Sequence, residues 1–222
     1  MLFSEENVKA NIRNHGGNRV FFLAAGDTLT PSARDFLRRE RIEILPASQA
    51  KPDEYVLENG AVFREKPEAY THLRDNILVH KTHPIIAFRG AVDTLQAELL
   101  LAQAAVPQAM QGDVGEILSL ARNLIRWDVL EEPAQLGTLC GLTEAQLRQR
   151  SHNPQEYYGV PHFMPACTDG PAILQLNRAR CAARSAELAA AKAYPHRTDL
   201  LQAMNRMSSM LYLLMIQLKL ER

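Results

Sequence analysis

Arg180, Arg184 and Glu187 stand at i, i+4 and i+7 of one stretch. At roughly 100° per residue of a helix, their heads fall within about 60° of one another and leave the same face. With no excess of positive charge over the whole chain, any anionic ligand must be held by such local placement of arginine and lysine. The flanking Ala182, Ala183, Ala186, Ala189, Ala190 and Ala191 are small enough to let neighbouring helices approach closely. The charged stripe could therefore line a narrow cleft. The same residues also suit a solvated face, since two arginines at i, i+4 repel weakly and Arg184 with Glu187 makes an ordinary i, i+3 pair. Spacing leaves both readings open. Further on, Asn205 and Arg206 interrupt an apolar face of Leu200, Leu201, Met204, Met207, Leu211, Leu214, Met215 and Leu218. An amide in such a stripe needs a hydrogen-bond partner, either a ligand or a buried backbone group.

The elements that must position these residues are long helices. Apolar spacing predicts them at Pro84–Ala105, from Gly112 or Asp113 to Leu130, at Pro171–Tyr194 and at Arg197–Leu220, with a short helix opened by Leu142-Thr143-Glu144. Between the last two pairs, Ser151 to Gly170 reads as a long irregular loop rich in Pro, His and Tyr, of the kind that more often serves function than connection. Helices of this length joined by modest loops predict a mostly α fold, an antiparallel four- to five-helix bundle.

The N-terminal part reads as a small α/β appendage. Glu5 to Asn14 suits a short helix ended by Gly16-Gly17, and Arg19 to Ala24 a strand. Thr30 before Pro31 is an N-cap signal for a helix to about Glu40, and Arg41 to Leu45 a second strand that a right-handed crossover would pair in parallel. Gly26-Asp27-Thr28 is read as a plain turn in preference to an anion site. From Pro46 to Pro67 the chain is polar and broken, with Tyr55-Val-Leu and Ala61-Val-Phe spaced as a hairpin across Glu58-Asn59-Gly60. The expected domains are residues 1–66 and 67–222.

Composition excludes several classes. With 25 basic and 25 acidic residues the formal charge is zero, so there is no electrostatic footprint for nucleic acid or a membrane surface. Cys140, Cys167 and Cys181 are far apart and odd in number, which reads as free thiols in a reducing compartment. The start has no basic n-region, and the longest apolar run, Met210 to Ile216, is too short to span a bilayer. A cytoplasmic protein is expected. The seven histidines are scattered, and no residues are assigned to a protein-held metal.

The run Arg180-Cys-Ala-Ala-Arg184-Ser-Ala-Glu187, followed by Ala203-Met-Asn205-Arg206-Met-Ser-Ser-Met-Leu-Tyr212, resembles the signature of ATP:corrinoid adenosyltransferases. Leu78-Val-His-Lys81-Thr-His-Pro84 and Arg89-Gly-Ala-Val-Asp93 are similar to the family's lysine, Asp-Pro and Gly-x-x-Asp pattern. Leu29-Thr-Pro-Ser-Ala-Arg-Asp-Phe-Leu37 resembles the ethanolamine-utilisation type specifically. The resemblance implies transfer of the 5′-deoxyadenosyl group of ATP to the cobalt of reduced cobalamin, with Mg2+ expected on the phosphates. Carried over residue by residue, Lys81 and Arg184 would contact phosphates, and Glu187 and Asn205 would help place the nucleotide. Asp93 would pair with Arg180 across a subunit boundary, in a trimer or dimer whose active site lies between subunits. Arg184, Arg180 and Asp93 are thus the catalytic candidates. Thr71, His72 and Arg74 occupy the place before Lys81 seen in the ethanolamine-utilisation type, and join the nucleotide set.

For the corrinoid side the resemblance points to Asn205, Arg206 and the loop Val160-Pro-His-Phe163-Met-Pro165, where Phe163 is the candidate apolar wedge under the corrin. A loop anchor packed on the helices is the alternative for Phe163. His162 is not assigned as a cobalt ligand, because ligation opposes formation of the reduced metal. Two family features are absent: the Thr-Arg-Thr-Gly-Asp-type phosphate loop of the propanediol-utilisation type, and a cysteine cluster before Thr71. Implied partners are an electron-donating reductase and a cobalamin-dependent ammonia-lyase, with association to a bacterial microcompartment. The competing function is a non-catalytic helical module that binds, delivers or scaffolds corrinoid.

Overall fold

Strand-forming and helix-forming residues alternate through the first third of the chain, and the computed structural model, which describes residues 1–15, 18–49 and 55–221, follows them. The first compact unit is Met1–His83. It opens with β1 (Leu2–Phe3) and α1 (Glu5–Ala10). Next come β2 (Ile12–His15), β3 (Asn18–Leu23), β4 (Thr28–Leu29), α2 (Pro31–Arg39) and β5 (Glu43–Pro46). The expected helix over Glu5 to Asn14 is shorter than its sequence range. Ser4 caps its start through the Asn7 amide, the last turn closes at Asn11, and β-branched Ile12 pairs instead with Phe21 in a strand. Gly16 and Gly17, the expected breaker, lie outside the described residues. The β-α-β reading holds: β3 pairs β5 in parallel, and Thr30 caps α2 by accepting the Ala33 amide at 3.3 Å. Gly26 takes φ +88°, which a side chain would resist, to let the chain turn into β4.

The second sheet is made of β6 (Tyr55–Leu57), β7 (Val62–Phe63), β8 (Tyr70–Arg74) and β9 (Ile77–His80), in the order β7-β6-β9-β8. The β6–β7 hairpin matches the sequence expectation; β8 and β9 were not expected, their residues entering the sequence reading only through the family motif around Lys81. Their pairing shifts the division of the chain. Because β9 lies parallel to β6, residues 67–83 stay with the N-terminal strands, and the compact units part between His83 and Pro84 rather than at 66/67. Asn76, buried at the β8–β9 turn, ties this sheet to β2 by exchanging hydrogen bonds with the Asn14 backbone at 2.9 and 3.0 Å.

The second unit, residues 84–222, is helical: α3 (Pro84–Ala105), α4 (Gln111–Val129), α5 (Glu144–His152), α6 (Pro154–Tyr158), α7 (Gly170–Ala193) and α8 (Thr198–Leu220). The four long helices lie within two residues of the ranges read from apolar spacing. Phe88, Leu95 and Leu99 of α3, Ile117 and Leu124 of α4, Ile173 of α7 and the Leu211–Ile216 run of α8 share one core. The expected irregular stretch from Ser151 is shorter than read: α5 runs on to His152, and Pro154 opens α6, which Gly159 ends at φ +68°. Among the described residues no helix is long and apolar enough to cross a membrane.

Two polar sites in this unit give testable consequences. Cys140 is half-buried with its amide on the Glu116 carboxylate; burial first, then Asp113 and Glu116, push its thiol up to about 12. Cys167 and Cys181 are exposed. A maleimide at neutral pH is expected to label two of the three thiols in the native protein and the third, Cys140, only in denaturant, read by intact mass. Asp199, in the first turn of α8, accepts from Arg197 at 2.9 Å and from the Ala134 amide at 2.7 Å. The Arg197 hydrogen bond above all holds its carboxyl at about 2, below the ordinary 3.8. A depressed folded pKa stabilises the charged form, so this contribution is full above about pH 4 and is lost as pH falls toward 2. Asp199→Asn protein should show a smaller stability loss across that window in a denaturant titration repeated at each pH.

Candidate functional site on helices α7 and α8

The alanines of α7 set its packing. Ala179, Ala183, Ala186 and Ala190 are fully buried, which turns the adjoining stripe of Arg180, Arg184 and Glu187 out of the core. Arg180 is half-buried, and its Nε and Nη2 donate to Asn177 Oδ1 at 3.1 and 3.0 Å. Arg184 is exposed and, among the described residues, makes no ion pair. The i, i+3 pair with Glu187 does not form. Glu187 instead accepts from Asn205 Nδ2 of α8 at 3.3 Å, so the two resembling segments meet through their polar residues.

Asn205 Oδ1 in turn accepts from Arg206 Nη2, and Arg206 Nη1 points at the Glu144 carbonyl at 3.4 Å. Arg206 is only 7% exposed, and its Nε has no hydrogen-bond partner among the described residues. Burial lowers its pKa, the Glu144 and Glu187 carboxylates opposing that shift and Arg148 adding to it. Glu187, Asn205 and Arg206 are thus one connected chain, with Arg184 and Arg180 on the same face of α7. A cationic stripe beside such an amide–carboxylate pair can hold a polyphosphate and orient the group attached to it.

Asp93 is exposed on α3 and carries no ion pair among the described residues. Its intrahelical alternative is taken away, because Arg89 Nε reaches Asp128 of α4 at 2.6 Å. Phe163 is half-buried, its ring stacked on Tyr212 at 5.9 Å with Lys219 Nζ 4.5 Å above it, which is the anchoring arrangement. Both nitrogens of His162 are engaged, with the Tyr212 hydroxyl and the His152 carbonyl. In the N-terminal unit, Thr71 and His72 are neighbours on β8 and so point to opposite faces. His72 meets Tyr55 edge-on at 5.6 Å, and Arg74 follows the bulge of that strand. Lys81 is exposed and pairs with Glu68 at 2.6 Å, a pairing that lowers the Glu68 pKa. Among the described residues no group of three His, Cys, Asp or Glu side chains is placed to hold a metal ion.

Sequence reasoning missed Asn177, which holds Arg180, and Tyr212 and Lys219, which hold the loop. The last two were legible in principle, since Asn205, Tyr212 and Lys219 recur every seven residues and so share one helix face.

Residues 61–218 match the family model for cobalamin adenosyltransferase. The chain is also similar to the corrinoid adenosyltransferase EutT of Salmonella typhimurium, 29% identical over 97% of this chain and 91% of that protein. To the corrinoid adenosyltransferase EutT of Escherichia coli K12 it is 30% identical, over 87% of this chain and 84% of the relative. The family match begins at residue 61, whereas the Salmonella relative extends the likeness through the α/β part. The chain belongs to the cobalamin adenosyltransferase family, in its EutT-type branch, and is a transferase.

Proposed function

We propose that this protein transfers the 5′-deoxyadenosyl group of ATP to cob(I)alamin, giving adenosylcobalamin and tripolyphosphate in ethanolamine utilisation. The carrying observation is the α7–α8 constellation: an exposed Arg184 with no ion pair among the described residues and an Arg180 oriented by Asn177, beside the Glu187–Asn205 hydrogen bond. The cobalt(I) electron pair attacks C5′, the Co–C bond forms, and the C5′–O bond breaks with its electrons leaving on tripolyphosphate. The protein's share is to position C5′ and neutralise that leaving group, for which fixed guanidinium groups cost no reorganisation. Arg184 takes the phosphates, with Arg180 beside it in the nucleotide set; Glu187 and Asn205 place the nucleoside. Lys81, Thr71, His72 and Arg74 are the N-terminal contributors to nucleotide binding. Mg2+ enters on the triphosphate. Asn205 and Arg206 serve the corrinoid side, where Phe163 contributes by anchoring its loop against Tyr212.

Asp93, exposed and without an ion pair among the described residues, is suited to receive Arg180 of a second copy, in a homo-oligomer built on an antiparallel helical bundle. A cytoplasmic setting, a reductase that supplies electrons, and an ammonia-lyase that takes the product in a microcompartment complete the reading. The test is an anaerobic assay with chemically reduced cob(I)alamin and MgATP. Adenosylcobalamin and tripolyphosphate are expected in equal amounts; corrinoid binding without turnover would instead support a carrier.

A further inference from the structure

Tyr212 is where the irregular segment 160–166 meets α8. His152 ends α5, and its carbonyl, like the last carbonyls of any helix, lacks an intrahelical partner. A carbonyl only accepts, so His162 carries its proton on Nε2 and donates it there at 3.1 Å. Nδ1 shares a hydrogen bond with the Tyr212 hydroxyl at 3.2 Å, and the hydroxyl oxygen accepts the Phe163 amide at 3.3 Å. Both rings also stack on Tyr212, His162 at 5.8 Å and 15°, Phe163 at 5.9 Å and 30°. The far end is held by Lys219, whose Nζ donates to Asp169 Oδ1 at 3.0 Å, while Asp169 Oδ2 accepts the Ala166 amide at 2.7 Å.

This pinned segment borders the arginine stripe. Helices α7 and α8 are joined by the short turn at 194–197 and run antiparallel, linked by Glu187 and Asn205. Arg180 lies seven residues from Glu187 and Tyr212 seven from Asn205, both leading away from that turn. Each is thus about 10 Å further along its helix, at the same level and on the same face as the polar pair. Within the segment Phe163 is packed, whereas Met164 is 89% exposed.

We infer that Tyr212 positions the 160–166 segment beside the α7 arginine stripe, so that Met164 is the apolar side chain it presents to the corrinoid at the nucleotide. This rests on the proposed transferase reading. Tyr212→Phe keeps the ring and its stacking but removes the hydroxyl that joins His162 to Phe163. In the anaerobic assay it should raise the corrinoid KM about tenfold, with the ATP KM and the thermal midpoint unchanged, as a displaced positioning element would. Met164→Ala should move the same parameter in the same direction. Equilibrium dialysis of cob(II)alamin gives a readout independent of turnover, and Tyr212→Phe should weaken that binding similarly. Wild-type corrinoid parameters in Tyr212→Phe would overturn the inference, as would an equal rise in both KM values, which marks general loosening. A wild-type protein without turnover would refute the transferase reading alone; dialysis would then decide the Tyr212 assignment, unchanged affinity overturning it.

Discussion

Arg184→Ala is expected to lower kcat/KM by about 10²–10³-fold, the cost of removing one preorganised group aimed at charge that develops in the transition state. The size follows from the leaving group. Tripolyphosphate gathers negative charge as the C5′–O bond breaks, and an arginine beside it counters that charge without moving. Arg184 makes no ion pair among the described residues and is exposed, so its loss should leave the thermal midpoint nearly unchanged. Arg184→Lys restores charge but not the planar fork, and should recover only part of the activity. Arg180 differs in being held by Asn177. Asn177→Ala should therefore reduce activity through a disordered Arg180, by less than Arg180→Ala itself.

Asp128→Ala is expected to be the most damaging single change to the helical unit. The Asp128 side chain is 1% exposed; it accepts from Arg89 Nε at 2.6 Å and from the Tyr194 hydroxyl, joining α4, α3 and the end of α7. Tyr194 also packs edge-on against Phe88 at 5.8 Å, so the polar knot and the apolar core share a residue. Removing this buried carboxylate costs about 3–5 kcal/mol, because the Tyr194 hydroxyl and the partly buried Arg89 guanidinium both lose their bond to it. For a chain of this size that is a fall of roughly 10 °C in midpoint. Asp93→Asn provides the contrast. Its carboxylate is exposed and makes no ion pair among the described residues, so stability should hold within about 0.5 kcal/mol of wild type while activity falls. An Asp93→Asn protein as unstable as Asp128→Ala would contradict this division of labour between the two aspartates.

The helices were legible because apolar spacing over some twenty residues outweighs local noise. Pro84, Pro31 and Thr143 each sit where their backbone preferences start a helix. The β8–β9 hairpin has no counterpart in the sequence reading because Leu78-Val-His-Lys81 carries the family's lysine motif, although β-branched residues around Asp75-Asn76 suit a turn between strands. In the α7–α8 groove the residue types were legible, but partner choice was not. Arg184 with Glu187, and Arg89 with Asp93, are equally natural pairs by spacing, and tertiary partners replaced both: Asn205 for Glu187 and Asp128 for Arg89. A helix sequence shows which side chains share a face. It does not show which neighbouring helix competes for them.

The claim at the centre of this account is that the α7 stripe holds the polyphosphate. Its most direct test is calorimetric titration of tripolyphosphate into wild-type and Arg184→Ala protein at one fixed salt concentration. The account predicts saturable binding to the wild type, weakened at least about tenfold by the substitution, in keeping with a charge-assisted hydrogen bond of about 1.5–3 kcal/mol. Equal affinities in the two proteins would contradict it, and would move the phosphate site away from α7.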